Sequence, residues 1–186
     1  MIFLSTTVVG IAMLGEKLGI DVTEDIRILV LLWKMDCKDK PGCITLTEWT
    51  NGCETMKIDS FETMMELVPS LELGFMENTD FKDFYKFCFK FNLSGTHRTL
   101  PMEVVVELLQ LVLKDRDPYE RVPSLCKFLH LPDSTYTCIT MDQWCSFFDF
   151  NTEVGTDISN YDESTSAWPV LIDEFVEYLA KEPAVP

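Results

Sequence analysis

Basic residues are scarce in this chain of 186 residues, and one long stretch has none. Lys and Arg number 15 against 31 Asp and Glu, so the formal net charge is −16. Nucleic acids and anionic membrane surfaces need Lys and Arg to contact their phosphates, so neither is an expected partner. From Phe128 to Ala180 there is no Lys or Arg at all, which predicts an outward-facing acidic surface that binds a basic protein partner. The carboxylates of this stretch are Asp133, Asp142, Asp149, Glu153, Asp157, Asp162, Glu163, Asp173, Glu174 and Glu177.

Signatures of catalysis and of metal binding are also missing. The seven cysteines are odd in number and none has C-x-x-C spacing, which is typical of a reduced intracellular protein. Zinc needs clustered Cys and His, whereas His97 and His130 stand apart. There is no Gly-rich phosphate loop and no Gly-x-Ser-x-Gly motif. Cys88 stands in a Phe-rich run that predicts an inert core thiol. We therefore expect no catalytic residue, no metal and no other cofactor.

The apolar N-terminal segment is too short to be a membrane anchor. Met1 to Leu14 cannot span a bilayer and lacks the basic start of a secretory signal. A buried helix end is the favoured interpretation, and a signal peptide, or a chain that begins inside its first helix, is the alternative. No lipidation motif is present, so we expect no membrane association.

Apolar residues recur with helical spacing along most of the chain. Thr23 is a suitable N-cap for a helix whose apolar stripe runs from Ile26 to Trp33 at i, i+3, i+4 and i+7. Asp80 is a suitable cap for a Phe-rich helix that ends near Phe91. Strand signals are brief, so the fold class is predicted to be all-α. Further helices are predicted over residues 45–56, 60–70, 101–115, 119–129, 140–151 and 168–180.

A short internal repeat indicates how two parts of the fold are built. Cys43–Trp49 (CITLTEW) recurs as Cys138–Trp144 (CITMDQW), 95 residues later, with four of seven positions identical. An isoleucine in a short strand, followed at once by a Thr-capped helix, is how the second half of an EF-hand is built. The repeat therefore predicts two degenerate EF-hand-like halves with very short strands.

The calcium loops implied by this repeat lack oxygen ligands. Glu48 takes the twelfth place of the first loop, but the first, third and fifth places fall on Cys37, Asp39 and Pro41. Only Asp39 among those three offers a side-chain oxygen, and the second loop has Gln143 at its twelfth place. Calcium binding is kept as an alternative function, with poor affinity expected.

Two motifs near the C-terminus, one after the other, resemble those of a known protein family. Asp157–Glu163 (DISNYDE) and Ala167–Tyr178 (AWPVLIDEFVEY) resemble the defective-in-cullin-neddylation family, whose shared unit is the potentiating-neddylation (PONY) domain. The resemblance runs from about residue 10 to residue 180. It implies one domain over residues 1–186, with an N-terminal half of about 10–92 and a C-terminal half of about 100–180. Further matches are Leu32–Lys34, Thr47–Trp49, Phe81–Tyr85 and Met141–Trp144.

The resemblance implies a scaffold function without catalysis of its own. Such proteins are auxiliary ligase factors that form no covalent intermediate. One surface holds a cullin's C-terminal winged-helix region, and another holds the modifier-charged conjugating enzyme, within a cullin-RING ligase complex. Holding the two together raises their effective concentration. The resemblance also implies an intracellular protein of the nucleus and cytoplasm. A PONY-fold interaction protein without ligase-assisting activity is a further alternative.

The resemblance also implies two sites. The cullin-binding residues fall on Asp142, Ala167 and Asp173, where two carboxylates face basic cullin side chains across a small residue. The chain departs from the family at Ser164–Ser166, which lengthens the loop before Ala167. The second site is an apolar pocket for the acetylated N-terminal methionine of the conjugating enzyme, with Ile11 as a further candidate. Its matching positions are Ile28, Leu31, Ile44, Phe91, Leu108 and Leu111.

Overall fold

Helices make up nearly all the regular structure of the described residues, which confirms the predicted all-α class. The computed structural model describes residues 5–6, 8–118, 120–155, 158, 161 and 168–181. The chain divides into two compact units, Met1–His97 and Arg98–Pro186. Within the described ranges no helix has the length and apolar content needed to cross a bilayer.

The N-terminal unit packs its helices around a core of aliphatic and phenylalanine side chains. Leu31 and Leu32 are fully buried, as are Phe84 and Phe89. Strand β1 (Ser5–Thr6) pairs antiparallel with β2 (Ile44–Thr45). The helices are α1 (Val8–Leu18), α2 (Arg27–Lys34), α3 (Leu46–Met56), α4 (Phe61–Leu67) and α5 (Asn78–Phe91).

The C-terminal unit is centred on large aromatic side chains. Trp144, Phe147, Phe150 and Phe175 are each at most 1% exposed. Strand β3 (Thr99–Pro101) pairs antiparallel with β4 (Cys138–Thr140), and Leu100 lies opposite Ile139. The helices are α6 (Met102–Val112), α7 (Arg121–Leu129), α8 (Met141–Glu153) and α9 (Val170–Lys181).

Both copies of the repeat form a short strand that runs directly into a Thr-capped helix, as predicted. Thr45 Oγ1 accepts the N–H of Glu48 at 3.2 Å, and Thr140 Oγ1 accepts the N–H of Gln143 at 3.2 Å. Each N3 side chain accepts the N-cap backbone N–H in return, which completes a capping box. The interpretation of the two units as EF-hand-like halves remains a prediction.

Glu48 holds the loop between α2 and β2 by accepting four hydrogen bonds. Its Oε1 accepts the backbone N–H groups of Lys38 and Asp39 at 2.7 and 2.8 Å. Its Oε2 accepts the backbone N–H and the hydroxyl of Thr45, both at 2.8 Å. Burial alone would raise the pKa of Glu48, but these hydrogen bonds outweigh it and lower the pKa. The carboxylate therefore binds the loop itself, where an EF-hand would present it to calcium.

Two local expectations were wrong. Helix α2 begins at Arg27, because Thr23 instead donates its N–H and hydroxyl to Asp21 Oδ1. Helix α5 begins at Asn78, so Asp80 lies in its first turn and is not its cap. The predicted buried helix end forms as α1, which buries Ile11 and Leu18 and leaves Met13 55% exposed.

Candidate partner-docking surface

Asp142 lies in the first turn of α8, directly after the capping box. Its side chain is exposed, and the capping box fixes the backbone that carries it. A carboxylate in the first turn is favoured by the helix dipole, which contributes up to about 1 kcal/mol. The helix start thus presents a negative charge to solvent from a rigid backbone.

Asp173 lies in the first turn of α9 and is held by a tyrosine. The hydroxyl of Tyr161 donates a hydrogen bond to Asp173 Oδ1. Asp173 is half-buried, so its carboxylate is oriented by the protein while part of it stays open to a partner. An oriented charge loses less conformational freedom on binding than a free one.

An aromatic cluster fixes both ends of the segment that leads into α9. Tyr161 and Trp168 each pack edge-on against Phe150 of α8, with ring centroids 5.9 and 6.3 Å apart. Phe175 of α9 packs against the same ring at 6.1 Å. Phe150 therefore joins α8, Tyr161 and α9. Ala167, the third predicted cullin-binding residue, lies outside the described residues.

The starts of α8 and α9 are close to each other. Gln143 and Trp144 of α8 line one small cavity together with Leu171 of α9. Gln143 is adjacent in sequence to Asp142, and Leu171 lies two residues before Asp173. The structure thus brings two of the three predicted cullin-binding residues to neighbouring helix starts.

A second tyrosine binds the next carboxylate of α9. Tyr136 donates its hydroxyl to Glu174 Oε2 at 2.6 Å. Burial, and then the hydrogen bond and charge of Glu174, raise the pKa of Tyr136, so it stays a neutral donor. The ring of Tyr136 packs against Phe128, whose ring also contacts Phe175. Two adjacent carboxylates near the start of α9 therefore each accept a hydrogen bond from a tyrosine hydroxyl.

Arg121 closes the C-terminal end of α8. It is 4% exposed, and its guanidinium donates to the carbonyl oxygens of Val154 at 2.6 Å and of Gly155. It also lies over the ring of Phe150, 4.7 Å from its centroid. The carbonyl end of a helix attracts a cation, and a buried guanidinium fork satisfies several carbonyls at once.

Replacing Arg121 with Leu is expected to lower the free energy of unfolding by about 3 kcal/mol, because the carbonyl groups of Phe150, Val154 and Gly155 would lose the donor that the buried guanidinium supplies. Chemical denaturation measures this. Arg98→Leu is the control at an exposed arginine, with an expected change below about 0.5 kcal/mol. Equal effects of the two substitutions would contradict the role of Arg121 in holding α8.

Sequence reasoning missed Arg121, Tyr136 and the role of the Tyr161 hydroxyl. The position of Arg121 could have indicated its role. It is the first residue of α7, where the helix dipole disfavours a cation, so its charge is expected to have a partner elsewhere in the fold. The two tyrosine contacts span 12 and 38 residues, and nothing in the local sequence pattern indicates them.

The predicted apolar pocket residues are mostly core residues of their own units. Ile28, Leu31, Ile44 and Phe91 are buried in the N-terminal unit. In the C-terminal unit Leu108 is buried and Leu111 is half-buried.

Ile44 also lines an open apolar cleft of about 440 Å³ between α1 and α3 in the N-terminal unit. Met13 and Leu46 are exposed on this cleft, at 55% and 58%, and sequence reasoning named neither of them as a site residue.

The buried thiols do not have the chemistry of a nucleophile. Cys88 is fully buried, and burial raises its pKa well above the ordinary value. Burial raises the pKa of Cys126 to about 11 and is the main cause that raises the pKa of Cys37 to about 12. A thiolate is the reactive species, so these three cysteines are unreactive near neutral pH. No group of three His, Cys, Asp or Glu side chains among the described residues could hold a metal ion.

Comparison with known proteins agrees with the resemblance seen in the sequence. The family model described as "Cullin binding" matches residues 63–178. DCN1-like protein 4 from Homo sapiens is 34% identical over 169 residues, covering 91% of this chain and 56% of that protein. DCN1-like protein 4 from Danio rerio is 35% identical, with 91% and 58% covered. DCN1-like protein 5 from Bos taurus is 32% identical, with 91% and 69% covered. The chain thus spans a little over half the length of the two DCN1-like protein 4 relatives.

Proposed function

The chain belongs to the cullin-binding family of DCN1-like proteins, and on that premise we propose that it binds a cullin and promotes cullin neddylation without catalysing it. The cullin's C-terminal winged-helix region docks on the neighbouring starts of α8 and α9. Asp142 and Asp173 supply the charges that face basic cullin side chains, and Ala167, which lies outside the described residues, is the third residue that the resemblance assigns to this surface. The single observation that carries this proposal is that Asp142 and Asp173 lie in the first turns of α8 and α9, two helices that line one small cavity near their starts.

The charge distribution supports a basic partner for this surface. No Lys or Arg occurs between Phe128 and Ala180, the stretch that contains both aspartates. The Tyr161 hydroxyl fixes one of them before binding. Complementary charge of this kind speeds encounter with a basic surface and disfavours acidic ones.

Proximity supplies the rate enhancement in this proposal. A second surface holds the modifier-charged conjugating enzyme within the cullin-RING ligase complex, so that the cullin lysine and the charged modifier meet as if at high concentration. The bond-breaking steps belong to the conjugating enzyme, and this chain forms no covalent intermediate.

The second surface in the proposal is the apolar pocket for the acetylated methionine of the conjugating enzyme. Its residues are those that the family resemblance implies: Ile28, Leu31, Ile44, Phe91, Leu108 and Leu111. All six side chains are apolar, so a free N-terminal ammonium entering among them would lose its hydration without compensation.

An acetylated N-terminal peptide of the conjugating enzyme is therefore expected to bind at least about tenfold more tightly than the unacetylated peptide. Isothermal titration calorimetry with the two synthetic peptides measures this difference. Equal affinities would contradict the proposal of this pocket and would not affect the proposed cullin-binding surface.

Reconstituted cullin neddylation tests the function as a whole. Added wild-type chain is expected to bind the isolated winged-helix region in a pull-down and to raise the initial rate of modification. Cullin binding without a rate increase would identify an interaction protein that lacks the ligase-assisting role. No binding to any cullin winged-helix region would refute the proposal.

A further inference from the structure

A lysine-rich cleft in the N-terminal unit is an exception in this acidic chain. The cleft lies between α2, the loop after it and α5, and its volume is about 310 Å³. That volume is at the lower end of the range for pockets that bind small ligands or single side chains. The lining includes three aromatic residues, Trp33, Phe87 and Phe91, and four lysines, Lys38, Lys40, Lys86 and Lys90. Of these lysines, Lys38 forms an ion pair with Asp36 at 2.7 Å.

The aromatic part of the cleft is rigid and partly open. Trp33 donates its indole N–H to Asp83 Oδ2 at 2.9 Å, and its ring packs edge-on against Phe84 at 5.8 Å. Phe87 stacks on Phe91 with centroids 5.2 Å apart. Trp33 and Phe87 are both half-buried, so each leaves part of its ring for a ligand's apolar side chain.

Lys86 and Lys90 of α5 both line the cleft, and Lys90 lies in the last turn of the helix, where the helix dipole favours a cation. Lys86 and Lys90 lie four residues apart on one helix face, an arrangement that destabilises a helix by about 0.2–0.5 kcal/mol. Neither of them forms an ion pair with a carboxylate in the part of the chain that the structure describes. Two lysines beside an aromatic surface suit a ligand that brings its own negative charge.

The opposite wall of the cleft is held in place before any ligand arrives. Glu48 accepts the backbone N–H groups of Lys38 and Asp39, which fixes the start of the loop. The N–H of Gly42 donates to the carbonyl oxygen of Phe91 at 2.7 Å and ties the end of the loop to α5. A preformed wall reduces the entropy lost on binding.

We propose that this cleft binds an acidic peptide segment of a partner protein, with one large apolar side chain against Trp33 and Phe87. Carboxylates of the peptide lie beside Lys86 and Lys90. Asp36 and Asp83 also line the cleft, which disfavours a continuous polyanion such as a nucleic acid. A peptide can place its charges around these two aspartates, because its carboxylates are spaced by neutral residues.

This proposal is independent of the cullin-docking function. The cleft lies in the N-terminal unit and is basic, whereas Asp142 and Asp173 lie in the C-terminal unit and require a basic partner. The two surfaces therefore select partners of opposite charge, and loss of one activity leaves the other measurable.

Selection from a phage-displayed library of random dodecapeptides on the full chain tests the proposal. Enriched peptides are expected to carry an excess of Asp and Glu and one Phe, Trp or Leu. Synthetic versions are expected to bind Lys86→Glu/Lys90→Glu at least about tenfold more weakly than wild type. The matched control is Lys114→Glu/Lys127→Glu, which changes the charge equally at two exposed lysines of the C-terminal unit and leaves the affinity within about twofold.

The indole N–H resonance of Trp33 in a ¹H–¹⁵N spectrum gives a readout at the cleft itself. It is expected to shift on addition of the selected peptide, and circular dichroism confirms that both variants are folded. Failure to enrich acidic peptides, equal affinity for the two double variants, or an unmoved Trp33 signal would each overturn the proposal. Tighter binding of a twelve-residue oligothymidylate would overturn it in favour of a nucleic-acid site.

Discussion

Asp142→Ala/Asp173→Lys is expected to weaken binding to a cullin winged-helix region at least about 100-fold, which corresponds to about 2.7 kcal/mol. Removing one carboxylate leaves a basic cullin side chain without its partner. Introducing a lysine at the second position places like charges face to face, which is strongly unfavourable at an interface. The measurement is a titration of the labelled winged-helix region with each protein at physiological salt.

A control of equal charge separates a specific contact from the general acidity of the chain. Asp133→Ala/Glu153→Lys makes the same change at two exposed carboxylates of the same cation-free stretch. We expect this control to bind within about threefold of wild type, because charges outside the contact act mainly through screened long-range attraction. Equal losses in the two double variants would show that only net charge matters. Unchanged binding in Asp142→Ala/Asp173→Lys would refute the docking surface.

Tyr161 allows the orientation of Asp173 to be examined with no change of charge. Tyr161→Phe keeps the ring against Phe150 and removes the hydroxyl that binds Asp173. The same titration should therefore show a smaller loss than the charge reversal, since the carboxylate remains and only its fixed orientation is lost.

Features governed by neighbouring residues were predictable from the sequence. The Thr45 and Thr140 caps each need only a threonine and a Glu or Gln three residues later, so the repeat was enough to place both helix starts. The all-α class followed from helical spacing over many segments. The wrong N-cap at Thr23 has a local cause that the spacing did not reveal, because Asp21 competes for the Thr23 N–H and hydroxyl.

Features that depend on distant residues could not be predicted in this way. The lysine-rich cleft combines α2, the following loop and α5, and only packing brings Trp33 beside Asp83, 50 residues away. Arg121 reaches carbonyl groups 33 and 34 residues further along the chain. The residue assignment of the docking surface came from the family resemblance, whereas composition alone gave only an acidic stretch with an unspecified basic partner.

Glu48→Ala is expected to lower the free energy of unfolding by about 3–5 kcal/mol, since Glu48 is 7% exposed and accepts four hydrogen bonds. Backbone N–H groups of Lys38, Asp39 and Thr45 would all lose their acceptor together. Glu48→Gln keeps the size and one carbonyl oxygen, so its cost is expected to be smaller, about 2 kcal/mol. Chemical denaturation at pH 7 measures both values.

The pH dependence of the difference in unfolding free energy between wild type and Glu48→Gln tests whether the charge of Glu48 causes that difference. The folded-state pKa of Glu48 lies below its ordinary value of 4.5, so its carboxylate stabilises the fold above that pH. The stabilisation is lost as the pH falls through the folded-state pKa. The difference in unfolding free energy between wild type and Glu48→Gln is therefore expected to be constant from pH 7 to about pH 5 and to decrease below about pH 4.5.

An exposed glutamate of the same helix provides the control for the loss of one charge. Glu54→Gln removes an equal charge from α3, and we expect it to change the free energy of unfolding by less than about 0.5 kcal/mol. If the difference in unfolding free energy between wild type and Glu48→Gln stays the same in acid, the shape of the Glu48 side chain, and not its charge, stabilises the loop. Because the same carboxylate fixes one wall of the lysine-rich cleft, Glu48→Gln is also expected to weaken binding of the selected acidic peptides while Lys86 and Lys90 remain in place.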